Sequence, residues 1–213
     1  MSGVALSFVG GTYQSLPAIG SAFGGGFFAG QISTAGNGVA DYNLVIGPVS
    51  SSQSTSQWKT TQTSTAGTTS VIDGPTNSSN MNNASHPAAQ FCEGLSIGGF
   101  SDWYMPAKNE LEVCYYNLKP TTTSNNTSSG TNTNAVPSRG SNYTAGTPAQ
   151  TSAADFKDTG AEDFTTAADY WSSTESTATN AWFQSFNSGS QNDYKPNGKT
   201  SYLRVRAVRR VAV

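Results

Sequence analysis

Three strand-like runs near the end of the chain constrain its fold more than any other feature. They read Tyr170-Trp171-Ser172-Ser173-Thr174-Glu175, then Ala181-Trp182-Phe183-Gln184-Ser185-Phe186, then Tyr202-Leu203-Arg204-Val205-Arg206-Ala207-Val208-Arg209-Arg210. Aromatic and β-branched residues of this kind suit a pleated, half-buried surface. The span from Ser185 to Ser201 between the last two runs is almost all Ser, Asn, Gln, Asp, Tyr, Gly and Lys. Such residues make a poor core. They make a good contact face, because aromatics give area at low entropic cost and small polar groups give adaptable hydrogen bonds. The pattern predicts a scaffold that displays a polar, aromatic-flanked patch, not one that encloses a catalytic pocket.

The 213 residues suffice for one domain with a real core. Charged residues make up 11% of the chain, about half the usual share. The aromatic content, also 11%, argues against disorder despite the abundance of Gly, Ser, Thr and Asn. A net charge of −2 predicts no nucleic-acid partner and no attraction to anionic membranes. No apolar run approaches the ~20 residues of a membrane span, so no membrane insertion is expected. The start, Met1-Ser2-Gly3-Val4-Ala5-Leu6, lacks the basic and apolar regions of a secretory signal. If the protein works outside a cell, it is expected to get there without the secretory route, and release by lysis as part of a virus particle is one such way.

Basic residues crowd the C-terminus as Lys195, Lys199, Arg204, Arg206, Arg209 and Arg210. Asp155, Asp158, Glu162, Asp163 and Asp169 precede them, and the two groups are expected to pair within the fold. Cys92 and Cys114 are too few for a disulfide framework and read as buried thiols. His86 is the single histidine, and no Cys-x-x-Cys spacing occurs, so neither a metal nor a cofactor is expected. His86 also lacks a neighbouring nucleophile motif, and Glu110 and Glu112 on one helix point to different faces. No catalytic residue is predicted.

Along the chain, residues 1–20 read as an extended arm and 21–213 as the domain. Phe27–Ile32 and a buried strand Tyr42–Pro48, closed by Pro48, read as a β-hairpin. Ser50–Asn83 reads as surface loops pinned by Trp58. A first helix is expected from an N-cap at Ser85 to Leu95, with Ala88, Phe91, Cys92 and Leu95 on one face. Phe100–Met105 reads as a short strand or strand-like connector. A second helix is expected from Pro106 in its first turn to Leu118, burying Leu111, Cys114, Tyr115 and Leu118. A long polar insertion, about 121–153, is tacked down by Val136-Pro137 and Tyr143. Strands with segregated helices indicate an α+β domain.

Several local words carry a resemblance: Phe23-Gly24-Gly25-Gly26-Phe27-Phe28-Ala29-Gly30-Gln31-Ile32, Gly99-Phe100-Ser101-Asp102-Trp103-Tyr104-Met105-Pro106, Asn109-Glu110-Leu111, Tyr170-Trp171-Ser172-Ser173 and Val205-Arg206-Ala207-Val208-Arg209. In this order they resemble the C-type lectin-like fold. More narrowly the chain is similar to the DUF1566 or Lcl-type domains of phage tail and fibre proteins and to the variable proteins of diversity-generating retroelements. The resemblance implies two helices packed on small antiparallel sheets. It places the ligand surface at Ala181–Ser201, with Trp182, Phe183, Ser185, Asn187, Ser188, Ser190, Asn192, Asp193 and Tyr194 as contact residues. It implies a virion-associated module that binds a host-cell surface receptor, protein or glycan. The arm would attach to other virion proteins, and the module would work as a homo-oligomer, with a trimer preferred. A structural decoration protein and a lectin-fold enzyme are the alternatives. The Glu-Pro-Asn and Gln-Pro-Asp motifs of calcium-dependent lectins are missing; Lys195-Pro196-Asn197 puts a cation where a carboxylate would be.

Overall fold

The computed structural model describes residues 6–9 and 12–213, with side chains from Ser15 onward. Leu6–Val9 (β1) and Thr12–Ser15 (β2) pair antiparallel as a ladder of their own. The rest of the expected arm lies partly outside the described residues. Its end belongs to the domain: Ile19 packs on the core, and Gly20 N–H donates to Phe28 C=O over 2.8 Å. Then come Ala22–Phe23 (β3), Gly26–Ile32 (β4), Tyr42–Ile46 (β5), the helical turn Val49–Ser52 (α1) and Gln53–Gln57 (β6). Three helices follow, Gly74–Asn80 (α2), Pro87–Glu93 (α3) and Lys108–Leu118 (α4). Ala135–Val136 (β7), Asp169–Glu175 (β8), Ala181–Ser185 (β9), Gln191–Asn192 (β10), Tyr202–Arg206 (β11) and Val208–Ala212 (β12) complete the chain.

The strands form two further sheets, ordered β12-β5-β4-β3 with β7 on β4, and β10-β9-β8-β11-β6. The pairing is antiparallel except between β8 and β11. The chain passes from one sheet to the other at Ala207, whose N–H and C=O are held by Ser52 and Gly47. The architecture is mixed α and β with antiparallel sheets, and the expected β4–β5 hairpin is present. A bulge breaks its register between Phe28 and Gly30. Gly30 sits at φ +133, and a Cβ there would lie 2.4 Å from Asn117 Nδ2 on α4. A glycine therefore lets the helix approach this sheet closely.

Helix α4 buries Leu111, Cys114, Tyr115 and Leu118, the predicted stripe. It starts at Lys108, two residues later than expected: Ala107 is the N-cap, so Pro106 lies outside the first turn. Helix α3 is capped at His86, not Ser85, and turns Ala88, Ala89 and Cys92 fully inward while Phe91 and Leu95 are half-buried. Of the two readings of Phe100–Met105 the connector is the one that forms: it makes only isolated bridges, Phe100 to Ile97 and Tyr104 to Val208. The larger correction concerns Ser50–Asn83. It contains α1, β6 and α2 as well as loops. Strand β6, Gln53-Ser54-Thr55-Ser56-Gln57, has no apolar residue and forms because β11 pairs with it over five residues. Helix α2 forms in Gly-Pro-Thr-Asn-Ser-Ser-Asn because Asp73 accepts from Thr76 N–H, Pro75 stands in the first turn, and Asn77 and Ser78 are buried.

Two apolar clusters fill the interior. One gathers Ile32, Leu44, Leu111, Tyr115, Phe164, Tyr170 and Phe186. The other gathers Trp58, Trp103, Met105, Trp171, Phe183 and Val205. Cys114 lies in the first and Cys92 in the second, both as free buried thiols. Burial pushes both thiols well above their ordinary range, which makes them unreactive.

Polar groups fill the remaining interior. Glu162 holds Arg206, Lys199 pairs with Glu175, and Arg209 grips Asp102 through both Nε and Nη2 at 2.7 and 2.9 Å. The expected pairing of the two charged segments is met at Arg206–Glu162 and Lys195–Asp169. The insertion is ordered the same way. Asn125 Nδ2 donates to the carbonyls of Thr144, Ala145 and Pro148, and its Oδ1 accepts from Tyr115 OH. Val136 lies in β7 against β4, and Tyr143 is buried, so both expected tacks hold.

His86 is buried between Asn83 Oδ1 (2.9 Å) and Thr65 Oγ1 (2.8 Å). Burial, then the nearby Lys59 and Lys199 charges, lower its pKa to about 4. An unfolded histidine titrates near ~6.5. Between these values the unfolded chain binds the proton and the folded chain does not, so stability falls as pH drops. Denaturant midpoints measured from about pH 6.5 down to about pH 4 should decline more steeply in the native protein than in His86→Gln. Equal slopes would show that His86 is not held neutral.

Candidate functional site

Strands β9 and β10 and the residues around them carry the candidate contact face. The turn between them is anchored from below. Phe186 stacks on Phe164 at 3.8 Å between ring centroids and meets Tyr170 and Tyr115 edge-on. Gly189 closes the turn at φ +71, and a Cβ there would lie 2.2 Å from Tyr115 Cε1. The backbone closes through Ser185 N–H to Ser190 C=O and Gly189 N–H to Ser185 C=O. The insertion braces it from the side through Asn126 N–H to Ser188 C=O.

On this base the nine predicted contact residues separate into three groups. Tyr194 is 68% exposed just past β10, Asn192 is exposed at the end of that strand, and Asn187 is exposed on the β9–β10 turn. Tyr194 is oriented by its own N–H, which donates to Asn192 Oδ1 over 2.9 Å. Trp182, Ser185, Ser188, Ser190 and Asp193 are half-buried. The Lys108 ammonium lies 3.7 Å over the Trp182 ring, and Asp193 accepts from Ser176 Oγ. Burial pulls the Lys108 pKa down and Asp193 pulls it back up, so Lys108, Trp182 and Asp193 share one local field. Phe183 requires a correction. It is only 7% exposed, packs edge-on against Trp171 at 5.9 Å, and is roofed by Lys195 Nζ at 4.4 Å. Its alternation along β9 puts it on the same face as Trp171, so it belongs to the core.

The face extends beyond the predicted residues. Lys195 pairs with Asp169, and Asp169 lines a depression of about 360 Å³ together with Thr55, Tyr202 and Arg204. Tyr202 is 67% exposed. Sequence reasoning missed it because the contact face was drawn only as far as Ser201. Its position at the outset of β11, directly after the polar Asn197-Gly198-Lys199-Thr200-Ser201 loop, was the available signal. Chemically, the face offers aromatic edges, amides and hydroxyls, with Lys195 paired to Asp169 and Lys108 stacked on Trp182. Among the described residues no group of three or more His, Cys, Asp or Glu side chains converges.

The model of the Lcl C-terminal domain matches residues 47–209. The chain belongs to the Lcl C-terminal domain family. The match starts just after β5 and ends within β12, so the Lcl C-terminal domain takes in α4, the insertion and the whole β9–β10 face. A solved fimbrial protein from Bacteroides ovatus is similar at 16% identity and a TM-score of 0.43. The similarity covers 82% of this chain and 36% of that one, so the Lcl chain spans little more than a third of that protein's length. No curated protein gave a match.

Proposed function

We propose that this Lcl C-terminal domain is a binding module of a phage tail or fibre, built on a C-type lectin-like fold, that presents the β9–β10 face to a host-cell receptor. The observation that carries this reading is the β9–β10 pair: Asn187 is exposed on its closing turn, which Phe186 and Gly189 fix from below, and Asn192 and Tyr194 are exposed at the end of β10 and just past it. Holding adaptable side chains on a rigid base lowers the ordering cost of binding. The lectin-like reading draws support from chain closure: the β4–β5 hairpin lies in one sheet with the last strand, β12, while a second sheet carries the β9–β10 face. The domain acts by contact rather than turnover. Repetition in a homo-oligomer, a trimer in this reading, multiplies a weak single site into firm attachment.

The test is the double variant Asn192→Ala/Tyr194→Ala. Cell adsorption of particles carrying it should fall by about tenfold or more, the loss of one aromatic anchor, with an unchanged unfolding midpoint. Adsorption equal to the native protein would sink the receptor reading and leave the domain a structural part of the particle.

A further inference from the structure

Arg204 stands apart from the other arginines. Arg139, Arg206, Arg209 and Arg210 each hold a carboxylate, that of Glu112, Glu162, Asp102 and Glu110 respectively. Arg204 is half-buried on β11, and among the described residues no ion pair includes it. It lines the depression of about 360 Å³ with Thr55, Tyr202 and Asp169. Given a host-cell receptor as the partner, a reading on which this one rests, we propose that the depression receives one carboxylate side chain of a protein receptor, gripped by Arg204.

The backbone brings these groups together. Residues two apart along a strand share a face, so Tyr202, Arg204 and Arg206 lie on one side of β11, and Thr55 is the residue directly opposite Arg204 on β6. Burial deepens along that side: Tyr202 is exposed, Arg204 half-buried and Arg206 buried. The inner arginine meets Glu162 within the protein. The next one outward reaches the depression with no carboxylate of its own.

Charge selects the ligand. Lys195 cancels Asp169, so the depression presents the single positive charge of Arg204. That balance suits one carboxylate, whose two oxygens match the guanidinium fork. A polyanion needs a row of unpaired cations, and Arg206, the next arginine on this side, is already occupied by Glu162. The partner that fits is therefore a protein with an exposed Asp or Glu. Half-burial of Arg204 leaves such a pair less screened by salt than one on open surface. The exposed Tyr202 ring gives the residues beside that carboxylate an aromatic surface to pack on. A volume of about 360 Å³ is near the lower end of ligand sites, which run from ~300 Å³ upward, and so admits a side chain with its immediate flanks.

The experiment is an NMR titration of the full chain with acetyl-Ala-Glu-Ala-amide, its Gln counterpart and inorganic sulfate, each to about 50 mM at constant ionic strength. The Glu peptide should shift the Arg204 Nε–H and the amides of Asp169, Tyr202 and Arg204 saturably, with a dissociation constant on the order of 10 mM. The Gln peptide should give no saturable shift, and sulfate should bind more weakly. Arg204→Gln should weaken the Glu-peptide response by about tenfold or more. Arg204→Lys, which keeps the charge and loses the fork, should weaken it by about threefold. If either variant loses its fold, Tyr202→Ala replaces it on an exposed ring and should weaken the response by about threefold. Particles carrying Arg204→Gln should adsorb to cells about tenfold less well. The titration reads the depression without particles, and Asn192→Ala/Tyr194→Ala should leave it unchanged, so the two readings can fail separately. No saturable shift with the Glu peptide overturns the proposal. So does equal binding of the Gln peptide, binding of sulfate as tight or tighter, or native adsorption of Arg204→Gln particles.

Discussion

Glu110→Ala is expected to lower the unfolding free energy by about 3–5 kcal/mol, the cost of breaking a buried ion pair from one side. Glu110 is fully buried at the first turn of α4. Its Oε1 accepts from Tyr104 OH at 2.5 Å and from Arg210 Nε at 2.8 Å, and its Oε2 accepts from Ala107 N–H at 2.8 Å. One carboxylate thus ties the helix start, the Tyr104 bridge and the last strand together. Burial raises its pKa, opposed first by Arg210 and then by the Tyr104 hydrogen bond. Removing it leaves Arg210 Nε and the buried Tyr104 OH without an acceptor, while Arg210 Nη2 keeps only the Ile72 C=O. Denaturant unfolding of Glu110→Ala, Arg210→Met and the double variant measures this. A strongly non-additive cycle is expected, because the two residues share one network. A single-variant loss within about 1 kcal/mol of zero would show that the pair does not organise the α4 terminus.

Trp58→Ala should cost a similar ~3–5 kcal/mol, the range for removing a large buried aromatic. Trp58 is wholly inaccessible to solvent. Its Nε1–H donates to Ser172 C=O on β8 over 2.9 Å, its ring meets His86 edge-on at 5.6 Å, and Lys199 Nζ lies 4.7 Å from its centre. It therefore joins the end of β6, the start of α3 and β8 within one cluster. Trp58→Phe keeps most of the apolar contact and loses the donor. It should cost about 1–3 kcal/mol, the penalty for an orphaned buried carbonyl. If Trp58→Phe matches Trp58→Ala, the hydrogen bond outweighs the packing and the cavity argument fails.

These two residues also mark how far the sequence could be read. Trp58 was legible as a pin, because a lone tryptophan in a Ser/Thr/Gln-rich stretch has to be buried somewhere. Glu110 and Glu112 were legible only as lying on different faces of a helix. That both faces would be interior depends on Arg210 arriving from the C-terminal strand and Arg139 from the insertion, contacts spanning 100 and 27 positions. The contact face was legible as a region. Tyr194, Asn187 and Asn192 are exposed as predicted, while Phe183 is interior because a two-residue period on β9 decides its side and composition does not.

Strand β6 and helix α2 stayed hidden for the same reason. Neither carries an apolar periodicity, and each exists because another element supplies backbone partners or buries its small polar side chains. Periodicity, aromatic placement and turn chemistry are local properties, so the sequence alone determined the β4–β5 hairpin, the α4 stripe, the terminal strands and the polar character of the loop they display. Which charges are buried, which polar segments become strands or helices, and where the depression beside Arg204 opens were decided by tertiary structure. Those outcomes depend on desolvation and hydrogen-bond partners brought together from distant parts of the chain.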